Sequence, residues 1–159
     1  MPEHDVRAIY LPRGGGATVK NPIAGLTLKA SGAETNGALT VFESAVAPGE
    51  GPPLHVHANE DEAWYALEGT FRVKLEHELR EAPAGTFVFI PRRVRHTWQN
   101  IGDGPARLLI LTAPAGLERF FERFSDLLDD APVPDAFRTA GREFGIDVVG
   151  PPLAESNPL

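Results

Sequence analysis

From Leu26 to Thr112 the chain runs in short stretches that alternate apolar and polar side chains, each ended by a turn signal. That pattern leaves few folds open. Phe71, Val73 and Leu75 alternate with Arg72, Lys74 and Glu76, a period of two with one face for a core and one for water. Leu26, Leu28 and Ala30 alternate with Thr27 and Lys29 in the same way. Leu39 to Ser44, Leu79 to Pro83, Thr86 to Ile90 and Arg107 to Thr112 read as further strands. Between them lie Ser31 to Gly37, whose Asn36-Gly37 pair favours positive φ, then Pro48-Gly49, Glu76-His77-Glu78, Ala84-Gly85, Pro91 and Gly102-Asp103-Gly104-Pro105. The 16 glycines and 15 prolines supply this punctuation. Short strands at such spacing predict an all-β barrel or sandwich, and 159 residues suit a single domain with a sizeable core.

The two ends differ from this middle. Within residues 1–24, Val6, Ala8 and Tyr10 predict an edge strand, and Gly14-Gly15-Gly16 reads as a flexible turn. No Gly-Lys-Ser/Thr follows the glycines to make a phosphate loop. In the tail, Leu117, Phe120, Phe121, Phe124, Leu127 and Leu128 recur at helical steps. Glu118, Arg119, Glu122 and Arg123 fall on the wet side, and Pro114 stands at the entry. A second, weaker helix is predicted from Asp135 as N-cap to Phe144, with Gly145 as its stop. The expected organisation is an N-terminal strand segment over 1–24, a barrel over roughly 25–113 and a helical tail over 114–159. The tail would cover the open end or the outer face of the barrel, its phenylalanines serving as packing residues.

Several function classes are excluded on composition. A formal net charge of -7 argues against nucleic acid or an anionic membrane as partner. The absence of cysteine removes disulfides and thiolate ligands, leaving histidine, carboxylate and main-chain oxygen for any metal. No GxSxG nucleophile pattern occurs. Met1-Pro-Glu-His-Asp5 has no basic-then-apolar character, and no apolar run approaches a bilayer's thickness, so a soluble cytoplasmic protein is expected.

The stretch Gly49 to Gly69 carries the chemistry. His55 and His57 leave the same face of an extended backbone, each with an imidazole nitrogen able to bind a metal. After the polar Ala58-Asn59-Glu60-Asp61 turn, Glu62 opens a second apolar run, and folding it back antiparallel would bring Glu62 beside the histidines. Two histidines and a carboxylate with positions left open form a transition-metal pattern. His96, Trp98 and Asn100 share one strand parity, which aims His96 inward with a tryptophan.

Gly49, His55, His57, Glu62 and Gly69 together resemble the first motif of the cupin superfamily, and Gly85, Pro91, His96 and Asn100 resemble its second. One departure is Arg93, where the family usually has glycine. The resemblance implies a cupin double-stranded β-helix, or jelly-roll barrel, here with a C-terminal helical extension. It further implies that His55, His57, Glu62 and His96 bind one divalent metal, with iron, manganese, nickel, copper and zinc all open. Asp61 and Glu60 are the rivals to Glu62, Asp61 by spacing and Glu60 by parity, the latter expected at the barrel rim. Within the superfamily the chain is most similar to small quercetin-dioxygenase-like cupins. That likeness implies a metal-dependent oxygenase of an enolic or aromatic small molecule, with Glu62 as ligand and catalytic base. A redox-neutral isomerase or decarboxylase and a non-catalytic ligand-binding protein are the alternatives. Pairing of sheet edges into a homodimer is also implied.

Other candidates have two readings each. Arg92, Arg93 and Arg95 either draw an anionic substrate or form a salt-bridged loop. Trp64, Tyr65 and Trp98 either line an aromatic pocket or pack the core. Asn100 either supports the metal shell or holds a turn. His4 and His77, in a tail and at a hairpin tip, are expected to have no role.

Overall fold

The computed structural model describes residues 7–159. Two antiparallel sheets face each other. The larger runs in the order β1 (Ala17–Val19), β2 (Gly25–Ala30), β3 (Thr40–Val46), β10 (Ala106–Ala113), β5 (Asp61–Glu68) and β8 (Phe87–Ile90). The smaller runs β11 (Ile146–Pro152), β4 (Pro53–His57), β9 (His96–Asn100), β6 (Thr70–Leu75) and β7 (Glu78–Pro83). Consecutive strands repeatedly change sheet, as in a jelly roll, so the all-β expectation holds.

Alternation decides which face is inside. Leu26, Phe42, Trp64, Ala66, Leu108 and Ile110 from the larger sheet meet Phe71, Val73 and Trp98 from the smaller one. Their burial from water is the main stabilising contribution, at about 25 cal/mol per Å² of apolar surface. Strand β9 is buried on both faces. Inside, Phe71 and Trp98 meet edge to face at 5.8 Å. Outside, Thr97 donates to the Pro52 carbonyl and Gln99 to that of Gly49.

Two backbone positions show why the motif glycines stand where they do. Gly69 turns the chain between β5 and β6 at φ 80°, and a Cβ there would lie 2.6 Å from that of Ala106. Arg93 holds φ 72° without being glycine, with its N–H donating to the His57 carbonyl at 2.7 Å. The left-handed turn after Pro91 is therefore retained although this chain fills it with arginine.

The tail forms α1 (Leu117–Leu127) and α2 (Val133–Phe144). Helix α2 starts two residues before the expected Asp135, behind Pro132, and ends at Gly145 in the left-handed conformation. The tail then departs from the helical expectation. Strand β11 follows, Ile146 pairing with His57 and Val148 with His55, before a short helix α3 (Leu153–Ser156). Ile146 and Val148 alternate with Asp147, the period-two signal that marks this strand.

At the N-terminus Val6 lies outside the described residues, and 7–10 form no strand; β1 begins only at Ala17. The triple glycine is a turn, its Gly15 N–H bonded to the Pro12 carbonyl. Among the described residues no helix is long and apolar enough to cross a membrane.

Candidate metal centre

His55 and His57 stand on β4, His96 on neighbouring β9 in register with His55, and Glu62 on β5 of the opposite sheet. The polar 58–60 segment is therefore a corner between sheets and not the tip of a hairpin. Glu62 reaches the histidines across the barrel. One donor atom from each of the four lies within 4.8 Å of all the others, and all four residues are buried.

Each imidazole is oriented by its far nitrogen. The His55 Nδ1–H donates to the Pro53 carbonyl at 2.8 Å and the His96 Nδ1–H to the Val94 carbonyl at 2.8 Å. Nδ1 of His57 faces the Glu60 carboxylate at 3.3 Å. Carbonyl and carboxylate oxygens only accept, so the proton sits on Nδ1 and the Nε2 lone pairs turn inward. Opposite them, Trp64 Nε1–H donates to Glu62 Oε1 at 2.7 Å, leaving Oε2 to the site.

This arrangement fits a metal. Glu62 Oε2 lies 2.8 Å from His96 Nε2 and 3.4 Å from His57 Nε2. Neither Glu62 Oε2 nor His96 Nε2 completes a hydrogen bond, although both are buried. Two acceptor atoms held that close are reconciled by a positive charge between them, a metal ion or a proton on Nε2. Metal bonds of about 2.0–2.2 Å at near right angles put neighbouring donor atoms about 3 Å apart. Three imidazoles and a carboxylate suit the divalent transition metals from manganese to zinc without choosing among them.

The electrostatics agree. Burial would raise the Glu62 pKa, but the charge and short contact of His96, then His57 and His55, hold it at about 2. Burial, with the neighbouring His96 and His57, presses His55 well below its ordinary range. For His57 burial is outweighed by the Glu60 hydrogen bond and the charges of Glu62 and Glu60, which raise it. At neutral pH the site presents an ionised carboxylate and at least one neutral imidazole, the forms that bind metal.

The structure overturns the readings of Glu60 and Tyr65 and decides most of the alternatives left open for the other residues. Glu60 is not a rim residue; it is 8% exposed and braces His57. Asp61 points outward and binds Arg92 through both side chain and backbone. Arg95 pairs with Glu76 at 4.0 Å, so the arginine loop is largely salt-bridged, while Arg93 is exposed. Tyr65 lies on the outer face, 41% exposed. Trp64 is core, and it also holds Glu62. Asn100 ties turns together, donating to the Val46 and Gly104 carbonyls and accepting from the Gly102 N–H. His77 is exposed at its hairpin tip, and His4 lies outside the described residues.

The tail closes the site. The cavity at the cluster is about 60 Å³, walled by Leu26, Ile110 and Trp98 of the barrel and by Phe120, Phe121 and Phe137 of the helices. Phe137 meets the His55 ring at 6.3 Å. Glu118, expected on the wet side of α1, instead accepts from the Gly32 and Gly116 N–H groups and from the Thr40 hydroxyl, clamping the helix to the barrel.

Comparison with known proteins supports the same architecture. Residues 42–112 match the family model described as the cupin domain. Over 110 residues the chain is 32% identical to protein SchB of Streptomyces halstedii, covering 69% of this chain and 66% of that one. It is 34% identical over 67 residues to polyketide synthase CurC of Streptomyces cyaneus, covering 42% and 44%. The matches span about two thirds of SchB and under half of CurC. KdgF from Halomonas sp. superposes with a TM-score of 0.61 at 18% identity, covering 70% of this chain and 99% of that structure. Both histidine-bearing segments lie inside the matched stretch of this two-sheet fold, and residues 42–112 are a cupin domain.

Proposed function

We propose that this cupin is a mononuclear metal-dependent enzyme of the quercetin-dioxygenase-like oxygenase type, acting on an enolic or phenolic small molecule. One observation carries the reading: three imidazole lone pairs and one carboxylate oxygen aim at a single spot on the wall of an apolar, aromatic cavity. A bound divalent metal supplies Lewis acidity that acidifies an enol and, for the redox-active metals, a centre at which oxygen can react. The Nδ1 anchors of His55, His57 and His96 fix the donor directions. The phenylalanines of the cap keep water out. Among the residues lining the cavity Glu62 is the one acid, and its Oε2 is the acceptor for a substrate proton. The neighbouring histidines outweigh burial and keep it an ionised carboxylate at neutral pH, the form that accepts a proton. The description of CurC as a polyketide synthase protein points the same way, because polyketide chains carry 1,3-dicarbonyl units that enolise.

The test is oxygen uptake by protein loaded with iron, manganese or nickel, across flavonols, 1,3-diketones and polyphenols. Uptake on one class, lost at least 100-fold in His96→Ala, supports the proposal. Turnover that proceeds equally without oxygen moves the protein to the redox-neutral cupins. Tight binding with no turnover under any metal makes it a ligand-binding protein.

A further inference from the structure

Next to the metal cavity lies a second and much larger hollow of about 700 Å³. It is bounded by the start of α2, by β11 and by the segment leading into β4. The two share Ile23 and Phe137 as walls. Phe137 is therefore a partition, its ring against His55 on one side and the larger hollow on the other. The sizes are mismatched in an informative way. About 60 Å³ admits a few waters or one small functional group, whereas about 700 Å³ falls in the range that encloses a whole drug-sized molecule, about 300–1,000 Å³.

The lining suits an apolar body. Val133 and Val149 are 39% and 45% exposed within it, beside Ile23 and Val148. Pro22, Pro53, Pro134, Pro151 and Pro152 add rigid walls that lose little entropy on binding. Its charged side chains, Glu50, Arg138 and Glu155, are exposed, and no ion pair among the described residues engages them. Val133 and Val149 thus leave apolar surface open within one hollow beside a buried reactive centre, and an apolar occupant would cover it.

We propose that the two hollows form one bipartite binding site. The larger holds the aryl body of an extended, mostly apolar small molecule, and only its hydroxy-ketone end passes Phe137 to the His55–His57–Glu62–His96 cluster. This rests on the metal-enzyme reading above and sets the substrate's size class, a molecule too large for the metal cavity alone.

Two probes separate the halves. 3-Hydroxyflavone carries both the hydroxy-ketone end and an aryl body; acetylacetone carries the dicarbonyl end alone. Val149→Arg and Val133→Arg fill the groove from exposed positions that the core does not use. Equilibrium binding to the metal-loaded protein is the readout, with metal content and thermal unfolding measured alongside. The expected result is a rise of at least tenfold in the Kd for 3-hydroxyflavone in each variant, with acetylacetone binding and metal content unchanged. Unchanged 3-hydroxyflavone affinity in both variants overturns the bipartite site and leaves the metal-centre reading standing. Wild-type protein that holds metal but binds neither probe overturns both.

Discussion

The cluster shows how far single residues speak. His55, His57 and His96 were legible because strand parity and motif spacing both send them inward, and Glu62 because an acid opening an apolar run must find a partner. The route was not legible. Sequence proximity suggested a hairpin between β4 and β5, whereas Glu62 comes from the opposite sheet. Spacing along one strand carries no information on which sheet the next strand joins. The supporting residues were hidden for a related reason, since a tryptophan in a strand reads as core whether or not its N–H has a task. That task can be measured. Trp64→Phe keeps an aromatic ring but removes the donor to Glu62 Oε1 together with some buried volume, so the carboxylate loses its orientation. Outer contacts of this kind change metal affinity by about 10–100-fold. Chelator competition is expected to show a loss in that range for Trp64→Phe and far less for Trp98→Phe, which removes the same volume from another buried tryptophan, one that lines the cavity and bonds to no ligand. Equal losses in the two variants would assign Trp64 to packing alone.

At the scale of elements, the amphipathic pattern of α1 was plain in the sequence, and its apolar stripe does bury Leu117, Phe120 and Phe124. What it packs against was not, because a helical stripe reports a buried face and not the surface that buries it. Glu118 was misread for the same reason: a charge in the first turn of a helix is normally solvated. Here its carboxylate joins β3 through Thr40 and the 31–37 loop through Gly32. Burial would raise its pKa, but the Thr40 hydroxyl and the Gly32 N–H outweigh that and lower it below its ordinary 4.5. A carboxylate with a depressed folded pKa contributes stability above its unfolded value and loses it as pH falls through the folded one. Glu118→Gln is therefore expected to cost about 1–3 kcal/mol in denaturant unfolding at neutral pH. The gap from wild type should be full above pH 4.5 and narrow as pH falls further. A gap that does not change with pH would mean the clamp does not depend on the charge.

For the whole molecule, the expected homodimer depends on which sheet edges are left open, and the four edge strands differ. Strand β1 has three residues, too short to template another chain. Strand β7 carries Glu78, Arg80 and Glu81, charges that resist edge-to-edge pairing. Strand β11 contains Gly150, Pro151 and Pro152, which interrupt its hydrogen-bonding edge. Strand β8, with four residues, is also short, but it carries no charge, glycine or proline. Its Phe87 and Phe89 are 62% and 58% exposed, and Tyr65 of β5, in register with Phe87, extends the aromatic surface. If two chains join, that edge is where an apolar face and unpaired backbone groups coincide, and antiparallel β8 pairing would continue the larger sheet across the interface. The metal cavity lies between the sheets, behind the opposite face of β5, so charges placed on this outer face should leave metal content intact. Light scattering after size exclusion is expected to give the mass of two chains for wild type and of one for the Phe87→Glu, Phe89→Glu double variant, with equal metal per chain. Wild-type protein at the mass of a single chain would end the dimer expectation. A double variant that stays dimeric would move the interface to another face of the barrel.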